Sequence, residues 1–177
     1  MDADVVDLYR QASQWTAGKL AGARDLEAVT PCPEWRVRDL LNHMLDTQRY
    51  FAGAARGEDA APPAPSPPSL LSDDPSADFA RATTEVMEVY SRDGVVERMG
   101  PALGIAFSDQ LLHGWDLARA TKQGDTMPDG LAAAAYDCIH GRFTDEQRKG
   151  VFGPEIPVGD DATPQQRLLA YTGRDPN

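Results

Sequence analysis

The sequence has few of the features that would cross-link, export or anchor a protein. Only two cysteines, Cys32 and Cys138, occur in 177 residues, which excludes the disulfide framework of small secreted domains. No uninterrupted apolar run approaches the roughly 20 residues of a membrane-spanning helix. The first residues, MDADVVDLYRQ, carry acidic groups where a signal peptide needs basic ones. We therefore expect a cytoplasmic protein that does not associate with membranes.

Basic residues are also scarce. The chain has 17 lysines and arginines against 28 acidic residues, which gives a formal net charge of −11. This excess of negative charge repels nucleic-acid phosphates and anionic lipids, and no basic cluster interrupts it. Nucleic acid and membrane are therefore not expected as partners.

Helical patterns dominate what the sequence does contain. Hydrophobic residues recur at spacings of three and four in six segments, at about 5–22, 36–56, 79–90, 103–123, 129–140 and 164–171. We find no strand alternation of useful length, no internal repeat and no glycine-rich phosphate loop. The pattern predicts an all-α bundle with ligand sites between facing helices. We expect one domain over residues 1–177, ending in a small C-terminal helical extension.

A proline-rich segment separates the second and third predicted helices. The stretch GEDAAPPAPSPPSLLSDDP holds six prolines in nineteen residues. Prolines at this density cannot sustain a helix or a central strand. We predict a long crossover linker over residues 57–76 that is mobile and partly extended.

Three side chains have the chemistry of metal ligands. Asp109 and His113 are four residues apart, so they leave the same face of one helix. His43 falls on the inner face of another helix. Two imidazoles and a carboxylate suit zinc with one coordination position left open, and nickel, iron or manganese would also accept them. The spacing leaves two interpretations open, a metal site or hydrogen-bonded histidines in a helical core.

Three stretches of the sequence resemble one known family. TPCPEWRVRDLLNHM and HGWDLARATKQG resemble two motifs of the mycothiol-dependent maleylpyruvate isomerase family, and FGPEIPVGDDATPQQRLLAYTGRDPN is similar to the tail of its short stand-alone actinobacterial members. The resemblance implies a DinB-like four-helix bundle in which His43, Asp109 and His113 bind a divalent metal, usually zinc. It also implies mycothiol as a co-substrate and a homodimer as a candidate assembly.

The sequence departs from the family pattern in two ways. The acid of the later helix is commonly glutamate, whereas Asp109 is one methylene shorter. We expect this aspartate to bring its backbone closer to the metal or to bind it more weakly. The full-length isomerases also carry a C-terminal α/β domain that completes the substrate site, and 177 residues leave no room for it. Isomerisation of maleylpyruvate itself is therefore not expected.

Four further residues recur in the family pattern: Trp35, Trp115, Asp116 and Arg119. We favour structural roles for them, with Asp116 and Arg119 paired on the helix surface. The alternative is that Asp116 accepts a hydrogen bond from a ligand histidine and orients it. Cys32 stands between two prolines and is predicted to be a packed cysteine. His140 is predicted at the surface, at the frayed end of a helix.

These observations lead to one main functional hypothesis and two alternatives. The main hypothesis is a metal-dependent transferase or isomerase in which a metal-bound thiolate, that of mycothiol, attacks a small electrophile. The first alternative is a hydrolase that uses metal-activated water at the same site. The second is a non-catalytic metal-binding or regulatory bundle whose site is weakened by Asp109.

Overall fold

The computed structural model describes residues 4–177, and over these residues the chain forms only helices and connecting segments. The eight helices are α1 (Val5–Gly22), α2 (Val37–Arg56), α3 (Pro75–Tyr90), α4 (Val95–Met99), α5 (Pro101–Ala120), α6 (Leu131–Ile139), α7 (Asp145–Arg148) and α8 (Pro164–Tyr171). One isolated antiparallel bridge joins Val29 and Arg36. The prediction of an all-α fold is confirmed. Residues 1–3 of the predicted domain lie outside the described residues.

Four of these helices form the bundle. Helix α1 packs against α5 and α3, and α2 packs against α3 and α5, so each of these four helices has two neighbours within the bundle. Their buried apolar residues, such as Leu40, Phe107 and Leu111, fill the interior. Helix α6 packs on the outside of α5, and α8 packs on α6, which gives the small C-terminal extension predicted from the sequence.

Helix α5 lies at the centre of this arrangement. It begins with Pro101 at its first turn, a position where the missing backbone N–H costs nothing. From Leu103 to Ala118 most of its residues are buried, because α1, α2 and α6 cover it on several sides. The polar side chains that α5 carries, including His113 and Asp116, are therefore held inside the protein.

A glycine on α5 allows α1 to approach closely. A Cβ atom at Gly114 would lie 3.0 Å from Cζ3 of Trp15 and still closer to Oγ1 of Thr16. The hydroxyl of Thr16 in turn donates a hydrogen bond to the carbonyl oxygen of Gln110, at 3.3 Å. Only glycine leaves room for this contact, which fixes how deeply α5 sits against α1.

The proline-rich linker crosses from α2 to α3 without regular structure, as predicted. Its last residues are anchored to the bundle. The side-chain oxygen of Asn42 accepts hydrogen bonds from the backbone N–H groups of Leu70 at 2.6 Å and Leu71 at 3.0 Å. The N–H of Ser72 donates to Asp78 at 2.7 Å. The linker is therefore held more firmly than its composition predicts.

The sequence predicted the six longer helices to within a few residues and missed two short ones. Helices α4 and α7 contain five and four residues, too few to show a periodic hydrophobic pattern. In the part of the chain from residue 4 onwards, no helix combines the length and the apolar character needed to cross a membrane.

Candidate metal centre

The loop before α2 is shaped by its threonine. The Thr30 hydroxyl oxygen accepts a hydrogen bond from the N–H of Cys32 at 3.1 Å, and the hydroxyl donates to the carbonyl oxygen of Trp35 at 3.0 Å. Glu34 takes a left-handed backbone conformation, with φ of 70°. This tight turn brings Cys32 to Asp116 and Trp35 to His43.

The structure brings His43, Asp109 and His113 together. Oδ1 of Asp109 lies 3.3 Å from Nε2 of His113 and 3.9 Å from Nε2 of His43. The candidate ligand atoms of the three residues all lie within 4.8 Å of one another. The side chain of His43 is 15% exposed, that of Asp109 is 28% exposed and that of His113 is 9% exposed. The cluster is thus sheltered but opens to solvent beside Asp109.

The other nitrogen of His113 is held by Asp116. Nδ1 of His113 lies 2.9 Å from Oδ2 of Asp116. An ionised carboxylate can only accept a hydrogen bond, so Nδ1 carries the proton and Nε2 faces Asp109. The favoured prediction that Asp116 pairs with Arg119 on the surface is wrong, because Asp116 is buried in the core and Arg119 pairs with Asp125 at 3.1 Å. The alternative, a hydrogen bond that His113 donates to Asp116, is the contact that forms.

Asp116 has two further partners that sequence reasoning missed. Nε of Arg174 donates to Oδ1 at 2.9 Å, and Nη2 donates to Oδ2 at 2.7 Å. The thiol of Cys32 also donates to Oδ2, at 3.2 Å. Cys32 packs against a cluster of core residues as predicted, and this hydrogen bond was not foreseen. Arg174 is 58 residues from Asp116 in the sequence, so no spacing pattern could connect them.

Charge pairing dominates the electrostatics of the cluster. Burial alone would raise the pKa of Asp109, but His113 and His43 hold it well below its usual range. Burial would likewise raise the pKa of Asp116, yet Arg174 and His113 keep it low. Burial would lower the pKa of His113, whereas Asp109 and Asp116 raise it well above the ordinary value. The two carboxylates thus stabilise positive charge on the His113 ring, which lies between them.

Trp35 forms an aromatic wall beside the two imidazoles. Its ring centroid lies 4.6 Å from that of His43 and 6.1 Å from that of His113. The indole N–H donates to the carbonyl oxygen of Pro65 at 3.1 Å, which ties the proline-rich linker to the site. Trp115 is buried in the core, with the Arg119 guanidinium 5.4 Å from its ring.

A second group of metal-ligating atoms overlaps the first. Cys32, His113 and Asp116 also offer ligand atoms within 4.8 Å of one another. Both oxygens of Asp116 already accept hydrogen bonds from Arg174, and a cation there would face the guanidinium charge. The cluster of His43, Asp109 and His113 therefore suits a divalent metal better.

The third histidine lies elsewhere. His140 is exposed at the end of α6, where its ring stacks on Tyr136 with centroids 4.7 Å apart. It belongs to neither group of metal-ligating atoms found among residues 4–177. The surface position predicted for it is the one observed.

The donor atoms at the cluster are suited to a divalent metal. Imidazole nitrogen and carboxylate oxygen are the ligands that zinc takes in catalytic sites, and three protein ligands leave one position for a substrate. His113 is already oriented by Asp116, a common arrangement for a ligand histidine. The residues present therefore fit a metal ion of this class.

The fold and this cluster define a class of protein, the DinB-like helical bundles, in which ligands converge from facing helices. The chain belongs to the family of the mycothiol maleylpyruvate isomerase N-terminal domain, which it matches over residues 9–118. The matched region contains His43, Asp109, His113 and Asp116, but Arg174 lies beyond it.

Similar proteins have been found in Mycobacterium tuberculosis. Two uncharacterized proteins, from strains CDC 1551 and H37Rv, are each 27% identical to this chain. The alignment covers 97% of this chain and 98% of each relative, so it includes the segment beyond the family domain. No solved structure matches the sequence.

Proposed function

We propose that the protein is a divalent-metal-dependent enzyme that uses a low-molecular-weight thiol, mycothiol, as a nucleophile towards a small electrophile. The products would be a thiol conjugate or an isomer of the electrophile. The observation that carries this proposal is the convergence of His43 from α2 with Asp109 and His113 from α5, in a cluster open to solvent on one side. Family membership supports the choice of thiol.

Each residue of the cluster has a defined task in this proposal. His43, Asp109 and His113 would hold the metal, for which zinc is the first choice and nickel, iron or manganese are alternatives. When bound, the metal supplies positive charge that favours the thiolate form of a thiol over the neutral form. Asp109 contributes the negative charge that balances part of the metal charge.

The surroundings of the cluster would place the second substrate. Trp35 lies against His43 and offers an apolar face to a small electrophile next to the thiol. The Pro65 carbonyl that holds the indole belongs to the linker, so the linker borders the same space. Because low-molecular-weight thiols stay reduced in the cytoplasm, we propose that the protein acts there.

Thiol turnover tests the proposal directly. The untagged protein, supplied with zinc, is mixed with mycothiol and a panel of small electrophiles, and the electrophile and the free thiol are both followed. We expect conversion of an electrophile that depends on both protein and mycothiol: a conjugate consumes one thiol per product, whereas an isomer leaves the thiol unchanged. This conversion should be abolished in His113→Ala. The matched control is His140→Ala, which removes an exposed histidine outside the cluster and should keep full activity.

Two outcomes would contradict the proposal and point to different functions. Cleavage of an ester or amide panel with no dependence on mycothiol would indicate a hydrolase that uses metal-activated water. Zinc binding without turnover of either panel would indicate a metal-binding or regulatory module.

A further inference from the structure

Arg174 makes a buried ion pair next to the candidate metal centre. Its side chain is 12% exposed, and that of its partner Asp116 is 0% exposed. The guanidinium contacts both carboxylate oxygens, with Nε 2.9 Å from Oδ1 and Nη2 2.7 Å from Oδ2. A guanidinium that binds a carboxylate through two hydrogen bonds fixes the plane of the carboxylate as well as its charge. Of the side chains that bond to Asp116, Arg174 is the one that contacts both of its oxygens, and so it fixes the plane of the carboxylate.

The turn at the end of α8 positions the side chain of Arg174. Gly173 adopts a left-handed conformation with φ of 77°. Its N–H donates to the carbonyl oxygen of Ala170 at 3.0 Å, and the N–H of Arg174 donates to that of Leu169 at 2.9 Å. This pair of bonds is the Schellman ending of a helix. A Cβ atom at position 173 would lie 2.6 Å from the backbone of Gly153, so the turn requires glycine and then leads Arg174 inward.

Asp116 in turn orients the imidazole ring of His113. Its Oδ2 accepts from Nη2 of Arg174 and from Nδ1 of His113, at 2.7 Å and 2.9 Å. The carboxylate is thus held between the guanidinium and the imidazole. Because Asp116 holds the proton on Nδ1, Nε2 is the nitrogen that would give up its proton to bind a metal beside Asp109.

We propose that Arg174 is a positioning residue of the metal centre, which strengthens metal binding by fixing Asp116 and, through it, the ring of His113. This inference rests on the proposed function in one respect, that His113 is a metal ligand. The family domain ends at residue 118, so the segment after α8 supplies a part of the centre that the family match does not assign.

Zinc affinity of three variants tests this proposal. Arg174→Met removes the guanidinium, and Arg174→Lys keeps the charge without the paired hydrogen bonds. Arg167→Met is the matched control, because Arg167 is an exposed residue of α8 that donates to backbone oxygens of Asp160 and Ala162. In competition with a chromophoric chelator, we expect zinc binding to weaken about 10- to 100-fold in Arg174→Met, less in Arg174→Lys, and not in Arg167→Met.

Zinc binding of Arg174→Met as tight as that of the unaltered protein would overturn the proposal. If circular dichroism shows that Arg174→Met does not fold, Arg174→Lys decides, and unchanged affinity in that variant overturns the proposal equally.

A second measurement needs no metal and separates this inference from the proposed function. In metal-free protein labelled with ¹⁵N-histidine, the His113 ring signal is assigned by comparison with His113→Ala. We expect a slowly exchanging Nδ1–H that is lost in Arg174→Met and kept in Arg167→Met. Absence of zinc binding in the unaltered protein would refute the proposed function, whereas an unchanged His113 signal in Arg174→Met would refute the role of Arg174.

Discussion

At the scale of single residues, Asp109 reaches both histidines despite its short side chain. The same oxygen, Oδ1, lies 3.3 Å from His113 and 3.9 Å from His43. If the site required the length of glutamate, an aspartate oxygen at this position would lie too far from the two imidazoles. The distances place the carboxylate oxygen of the shorter acid beside both imidazoles.

We predict that Asp109→Asn weakens zinc binding by on the order of 100-fold or more, because a neutral amide replaces a charged ligand. Asp109→Glu should not bind zinc more tightly than the unaltered protein, since its extra methylene has to fit a site where aspartate already makes contact. Chelator competition measures both affinities. A much tighter site in Asp109→Glu would contradict this account of the distances.

At the scale of helices, the contact between α1 and α5 sets the position of the cluster. We predict that Gly114→Ala destabilises the protein by about 1–3 kcal/mol, because a methyl group there overpacks against Trp15 and Thr16. Denaturant unfolding measures the change. Gly18→Ala is the control, since nothing lies within 4 Å of a Cβ at that position of α1, and it should stabilise the helix by about 0.4–1 kcal/mol.

The end of the linker gives a prediction for pH. The N–H of Ser72 and the guanidinium of Arg81 donate hydrogen bonds to Asp78. These contacts hold the pKa of the Asp78 carboxyl below its usual range, and the backbone hydrogen bond from Ser72 has the largest effect. Because the folded pKa is depressed, this stabilisation is present above the unfolded pKa of about 4 and is lost as pH falls below it.

In Asp78→Asn we expect the free energy of unfolding to fall less between about pH 6 and about pH 3 than in the unaltered protein. These two pH values lie on either side of the ordinary pKa of a carboxyl group. Denaturant unfolding at each pH measures it. Identical pH dependence in the two proteins would show that Asp78 does not hold the linker through its charge.

The features that could be predicted from the sequence are those that depend on residues close to one another in the chain. Periodic apolar residues predicted the long helices, and the four-residue spacing placed Asp109 and His113 on one face of α5. The contact of Asp116 with Arg174 could not be predicted, because it depends on how α6 packs on α5 and how α8 packs on α6. The anchoring of the linker by Asn42 is likewise a tertiary contact.

At the scale of the whole molecule, the candidate site extends beyond the family domain. Residues 9–118 match that domain, and they contain the three candidate ligands. The chain beyond residue 118 leads to α8, and the turn at the C-terminal end of α8 brings Arg174 to the buried Asp116. The extension therefore forms part of the surroundings of the site, and both mycobacterial relatives align along it.

The central claim is that His43, Asp109 and His113 form a metal site, and metal content after purification tests it most directly. The untagged protein is supplied with zinc, dialysed and measured by elemental analysis. We predict about one zinc ion per chain, as expected for one site with three protein ligands. The ion should be lost in His113→Ala and kept in His140→Ala. A protein that retains no metal, or a His113→Ala variant that retains as much as the unaltered protein, would contradict the account.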